Sequence, residues 1–174
     1  MTELRTAAPA DFPEVWEFYN RLIDDMADAK FHPGWEKGVY PAEAFVRASL
    51  ENGELYTAWR DGAMAGVMVI NHACTPGYET IAWDVEAAPE EVSVIHALGV
   101  CPAFQGKGVA GEMVQGALRL AREAGQKAVR LDVLGGNLPA QKLYAAAGFQ
   151  YRGTIKLFYE DTGLTDFLLY ERLL

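Results

Sequence analysis

Apolar residues along this chain recur in two rhythms, and the rhythms divide it into elements. After Pro9, Phe12, Val15, Trp16, Tyr19, Leu22, Ile23 and Met26 return at three- and four-residue spacing, which lays one stripe along a helix. A second helix is predicted from Pro41, which suits a first helical turn, to a stop near Asn52-Gly53. Shorter runs read as strands: Thr2 to Ala7, then Leu55 to Trp59 and Ala65 to Asn71 flanking Asp61-Gly62, a hairpin signal. After a polar connector, Val92 to Cys101 reads as a buried strand ended by Pro102. The helix that follows Gly108 presents Val109, Met113, Ala117, Leu120 and Ala121 to a core and stops at Gly125. Ala128 to Leu134 is a further strand, and Leu138 to Ala147 a short helix closed by Gly148 at the C-cap position. Apolar runs around Thr162-Gly163 predict a final hairpin.

The predicted order is βααβββαβαββ. Helices alternating with strands only in the second half imply an α/β protein with a mixed sheet covered on both faces. No internal repeat or linker interrupts the pattern, so residues 1–174 are expected to form one domain.

Composition narrows the function more than the fold. With 174 residues, 51% of them hydrophobic, the chain can bury a core without staples. The longest apolar run, Ala63 to Ile70, falls far short of the ~20 residues that span a bilayer. Met1-Thr2-Glu3-Leu4-Arg5 lacks the basic and apolar regions of a signal peptide, so no membrane association and a cytoplasmic location are expected. Cys74 and Cys101 are too few for a disulfide framework. His72-Ala73-Cys74 finds no second cluster to complete a metal site, and no metal is expected.

A net charge of −9 argues against nucleic-acid binding. The charge is uneven, however. Residues 11–28 carry six carboxylates against Arg21 alone, and residues 79–91 carry five with no Lys or Arg. Residues 105–130 reverse the sign through Lys107, Arg119, Arg122, Lys127 and Arg130. A basic patch around a glycine-rich loop in an acidic protein points to an anionic ligand there. The acidic clusters suit a cationic partner elsewhere.

The loop itself is "CPAFQGKGVAGEMV", residues 101 to 114. Backbone N–H groups at a helix start are unpaired and carry the positive end of the dipole, and glycines let a phosphate approach them. A P-loop does not fit, because Gly106-Lys107 is followed by Gly108 rather than by Ser or Thr. A dinucleotide fingerprint matches Gly106, Gly108 and Gly111, with Asp132 in the place of a ribose-binding acid. Five residues nevertheless separate the strand from Gly106, and too little chain follows for a second mononucleotide half.

A third pattern covers more of the sequence. Val100, Pro102, Gln105, Gly108 and Ala110 resemble the acyl-CoA binding motif of the GNAT (GCN5-related) N-acetyltransferases. "NLPAQKLYAAAGF", Asn137 to Phe149, resembles that family's second motif, N-x-x-A-x-x-L-Y-x-x-x-G-F, at every defined position. The resemblance implies the GNAT fold along almost the whole chain. It implies acetyl-CoA as co-substrate, direct transfer to an amine of a small molecule or peptide, and Gly111 as incidental.

What the resemblance implies for single residues follows the motifs. Amides from Gln105 through Gly106, Lys107, Gly108 and Val109 to Ala110 would hold the pyrophosphate. Leu98, Gly99 and Val100 would pair with the pantetheine arm, with the Val100 amide polarising the thioester carbonyl. Asn137 would contact the coenzyme, and Tyr144 would protonate the leaving thiolate, since a phenol stays protonated at neutral pH. The acceptor amine needs a base. His96 is the first candidate, because in a regular strand it shares side-chain parity with Leu98 and Val100; Glu79, Asp84 and Glu86 precede the same strand. Cys101, of opposite parity, is a poor nucleophile partner for His96. Trp35 and Tyr40 are candidate walls of the acceptor pocket. Two alternatives carry less of the sequence: a non-catalytic acyl-CoA sensor on the same fold, and a nicotinamide-dependent enzyme. The apolar tail "FLLYERLL" offers a sheet or homodimer contact.

Overall fold

A computed structural model describes all of residues 1–174. Its elements are β1 (Glu3–Thr6), α1 (Phe12–Asp25), α2 (Glu43–Glu51), β2 (Leu55–Arg60), β3 (Ala63–Asn71) and β4 (Val92–Val100), then α3 (Val109–Glu123), β5 (Ala128–Leu134), α4 (Leu138–Ala146), β6 (Gln150–Tyr159) and β7 (Gly163–Leu173). The strands form one mixed sheet in the spatial order β1-β2-β3-β4-β5-β7-β6. Only β4 and β5 run parallel. No helix is long and apolar enough to cross a membrane. Pro41 lies outside α2 rather than in its first turn, because Ala42 is extended and serves as the N-cap.

The two faces of the sheet are covered differently. On one, Met113, Val114, Ala117 and Leu118 of α3 pack against Met68, Ile95, Leu131 and Val133, and α4 adds Tyr144. On the other, α1 and α2 bring Val15, Tyr19, Val46 and Leu50 onto Leu55, Val67 and Val69. Beyond β4 that second face is closed by the stretch between β3 and β4. The stretch reads as a polar connector, yet Tyr78 within it is 3% exposed and packs with Val94, Leu157, Phe167 and Leu169. Its carboxylates stay outside while its aromatic residues turn inward, and periodicity gives no hint of this because the segment holds only two single 3-10 turns, Tyr78–Thr80 and Pro89–Glu91.

A buried ion pair pins this stretch. Arg130 Nε donates to Glu171 Oε2 at 2.9 Å, and Arg130 Nη2 to the Val85 carbonyl at 2.8 Å. The guanidinium lies 4.3 Å from the Trp83 ring, and Asp84 N donates to Glu171 Oε1 at 2.7 Å. Arg130 therefore does not belong to a basic surface patch. Lys127 is paired too, with Glu91, so the exposed positive charge near the glycine loop reduces to Lys107, Arg119 and Arg122.

β4 carries the irregularity that matters most. Gly66 faces Val100 and Val67 faces Gly99, but Val69 faces His96, so β4 holds one extra residue opposite Met68. This is a β-bulge centred on Ala97, whose φ is +48°. The Tyr19 hydroxyl donates to the Ala97 carbonyl at 2.8 Å and pins it. The bulge overturns the expected parity: His96 lies with Val69 on the α1 face, whereas Val100 packs with the α3 cluster. Just before the bulge, pairing with β5 stops after Val92–Ala128, Ser93–Val129 and Val94–Arg130. Beyond those pairs β4 and β5 separate.

Candidate functional site

The separation of β4 and β5 opens a cavity of about 110 Å³ that both faces of the sheet reach. Ile95 to Leu98 form one edge and Asp132 to Leu134 the other. Asn137 and Tyr144 close it from the α4 side, and Trp35, Tyr40, Tyr159 and Asp161 from the opposite side. Strand alternation sorts the N–H groups along the gap. Cys101 N donates to the Ala65 carbonyl of β3 at 2.9 Å, so the Val100 N–H turns to the other edge, towards the opening. A Cβ on Gly99 would collide with a terminal methyl of Leu22 of α1, so a side chain there would require Leu22 to move.

Tyr144 packs its ring against Phe149 at 5.6 Å and lines the cavity as well, so packing and a chemical role coexist. Burial, and then the nearby Asp132 carboxyl, push its phenol well above the ordinary range and keep it protonated. Asn137 caps α4, its Oδ1 accepting from Ala140 N at 3.3 Å. Trp35 and Tyr40 stand in one aromatic row with Tyr19, Phe45 and Tyr159, at ring separations of 5.8 to 6.3 Å.

His96 is held neutral. Asn71 Oδ1 accepts from Ala73 N at 2.9 Å and also meets His96 Nε2 at 2.9 Å, so Nε2 carries the proton. Burial brings its pKa down to about 4. The parity argument against a pair with Cys101 fails with the bulge, but the four residues of strand between them still part the two by on the order of 15 Å. None of Glu79, Asp84 and Glu86 lines the cavity. Glu79 accepts from Gly77 N, and Asp84 pairs with Arg152.

The residue that sequence reasoning passed over is Asp132. It enters there only as a ribose acid, yet it is the carboxylate of β5 that lines the cavity. Desolvation raises its pKa above the ordinary carboxylate value, against the hydrogen bonds from Tyr78 and Tyr159. Its signal in the sequence is a lone acid inside the strand run AVRLDVL, a charge at a core position that calls for a partner.

At the end of β4 the chain turns through Pro102–Phe104 into the glycine loop. Gln105 Nε2 donates to the Val100 carbonyl at 3.0 Å, and Arg60 Nη1 to the Lys107 carbonyl at 2.7 Å, which fixes the turn from both ends. Gly106 and Gly108 have φ of +72° and +84°, and a Cβ on either would meet no atom within 4 Å. The N–H groups of Val109, Ala110 and Gly111 open α3 towards that empty space. No group of three or more His, Cys, Asp or Glu side chains sits together as a metal site.

Residues 11–149 match the acetyltransferase (GNAT) family. N-alpha-acetyltransferase RimI of Mycobacterium tuberculosis is 32% identical over 124 residues, 71% of this chain and 70% of that protein. Two other relatives are matched over only 61% and 47% of their own length, so the chain spans about three-fifths of one and half of the other. A GNAT-family acetyltransferase of Streptococcus agalactiae superposes with a TM-score of 0.81 at 19% identity, over 99% of this chain and 95% of that one. The structure of yncA from Salmonella typhimurium with its cofactor acetyl-CoA gives 0.71 at 17% identity, over 99% and 94%. At these identities the solved structures speak for the fold alone.

Proposed function

The chain belongs to the GNAT acetyltransferase family, and on that premise we propose that it transfers an acetyl group from acetyl-CoA to a cationic amine, with Tyr144 as general acid and Asp132 as general base. The observation that carries this reading is a single cavity that both side chains line across the gap between β4 and β5.

The residues present fit acetyl-CoA. The open turn at Gly106 and Gly108, where no atom lies within 4 Å of where a Cβ would stand, leaves room for a pyrophosphate against the α3 amides. Gln105 to Ala110 would hold it, with Lys107 adding charge. Leu98, Gly99 and Val100 would pair along the pantetheine arm with Asn137 beside it. When bound, acetyl-CoA supplies the acetyl group as an activated thioester. The Val100 N–H then donates to the carbonyl oxygen as charge develops on it.

Asp132 takes a proton from the ammonium of the acceptor, Tyr144 gives one to the departing sulfur, and the second proton that the nitrogen sheds as the amide forms replaces the one Tyr144 gave up. One C–N bond forms and one C–S bond breaks. Asp132 suits the base role better than His96, whose Nε2 carries a proton to Asn71 and cannot accept one, and whose pKa burial brings down to about 4. A carboxylate raised by burial lies closer to neutrality and is the stronger base. Aromatic faces at Trp35, Tyr40 and Tyr159, with the carboxylates of Asp132 and Asp161, favour a cation over an anion.

A thiol-release screen of acetyl-CoA against alkylamines, diamines and peptides with free N-termini tests the proposal. Turnover is expected with cationic amines. Coenzyme binding without turnover on any amine would leave an acyl-CoA-binding module, and no binding by calorimetry would overturn the reading altogether.

A further inference from the structure

We infer that Tyr78, delivered by the stretch between β3 and β4, is a positioning residue that orients the Asp132 carboxylate towards the cavity. The inference rests on the assignment of Asp132 as the base.

Tyr78 donates its hydroxyl proton to Asp132 Oδ2 at 2.8 Å. Tyr159 of β6 donates to the same oxygen at 3.4 Å and meets Thr75 Oγ1 at 3.2 Å. Both phenols address Oδ2, which leaves Oδ1 for a proton arriving from the cavity. Two donors on one oxygen, the nearer from Tyr78, restrict the rotation of the carboxyl.

Tyr78 is itself held from behind. Its ring stacks at a tilt on Trp83 at 5.5 Å, and its carbonyl accepts from Trp83 Nε1 at 2.9 Å. Trp83 lies beneath the guanidinium of Arg130, which is locked to Glu171. The buried ion pair, the tryptophan and the tyrosine thus form one continuous packed chain that ends on the carboxylate. Burying an ion pair brings little net stability, but a pair that fixes a loop in register has a use of another kind.

The surroundings of Asp132 supply no competing cation. Arg130, two residues back on the same face of β5, is turned to Glu171 and Val85. Tyr40 before α2, His96 on β4, Tyr144 on α4 and Asp161 after β6 line the same cavity, and the β7 residue paired with Asp132 is Leu169. The hydroxyls of Tyr78, Tyr159 and Thr75, in that order, are therefore what favours the ionised carboxylate against the cost of burial.

Carbon-13 NMR of labelled aspartate carboxyls, with the Asp132 signal assigned by its loss in Asp132→Asn, reads this directly and needs no acceptor. In Tyr78→Phe the Asp132 titration should move up by about one pH unit, since the lost bond favoured the charged form. Tyr159→Phe should move it the same way by less, and it carries the test if Tyr78→Phe fails to fold. An unmoved titration overturns the inference. The acid limb of kcat/KM, measured with acetyl-CoA and the best amine of the screen, should follow the same shift. A shifted titration with an unmoved limb overturns the base assignment instead, and the two failures are thereby told apart.

Discussion

Asp132 on β5 and Tyr144, which α4 brings over the other face of the sheet, line a single cavity, because β4 and β5 part between them. The proposed base and acid are thus separated by the thickness of a sheet with its centre removed. The geometry comes from a missing set of strand pairs.

Tyr144→Phe keeps the ring against Phe149 and removes the donor. The turnover number for acetyl transfer should fall about 10²-fold with little change in coenzyme affinity. Thiol release and calorimetry on the same preparation measure the two quantities; unchanged turnover would remove the acid role.

Asp132→Asn should lower turnover by a similar factor of about 10² and at the same time stabilise the fold. The folded-state pKa of Asp132 is raised by burial, so the folded protein binds that proton more tightly than the unfolded one. Its contribution is present at low pH and is lost as pH rises through the folded value. The variant should therefore melt above the native protein in mildly alkaline buffer, and the difference should vanish in acid. A melting point below the native one at alkaline pH would contradict this.

His96 has the opposite sign. Burial lowers its pKa from 6.5 to about 4, so its contribution is full above 6.5 and disappears as pH falls to about 4. His96→Gln, which can still donate to Asn71, should flatten the loss of urea resistance across that interval. It should leave turnover within about tenfold, since general-base catalysis is assigned elsewhere.

Gly108→Ala and Gly111→Ala separate strain from binding. At Gly108 the positive φ should cost about 1 kcal/mol and the methyl should block the coenzyme. Gly111 is helical with open space around its missing Cβ, so alanine there should stabilise by up to about 1 kcal/mol and spare coenzyme affinity. Urea midpoints and calorimetry distinguish the pair.

Tyr19→Phe removes the hydroxyl that holds the Ala97 carbonyl. A loss of about 1 kcal/mol in urea is expected, together with weaker coenzyme binding, because the bulge it secures sets the direction of β4.

Much of this site is legible from residue order. The glycine turn, the capped α4 and the ring of Tyr144 follow from local patterns, since Gly106 and Gly108 take positive φ and Asn137 caps the helix it precedes. The bulge at Ala97 is not legible, because alternation along VSVIHALGV reads as regular and an alanine with positive φ leaves no mark in composition. Tyr78 and Asp132 escape for a different reason. Each is an ordinary residue in its own segment, and their meeting across 54 positions depends on tertiary packing alone.

Three residue pairs, Val92–Ala128, Ser93–Val129 and Val94–Arg130, are all that join β1–β4 to β5–β7 through the sheet. The molecule therefore has a seam, bridged otherwise by α3 across one face and by Tyr78 and its neighbours across the other. Amide protons on either side of such a seam should exchange as two cooperative units rather than one. A ligand lying along it as an extra strand would fasten the two units together.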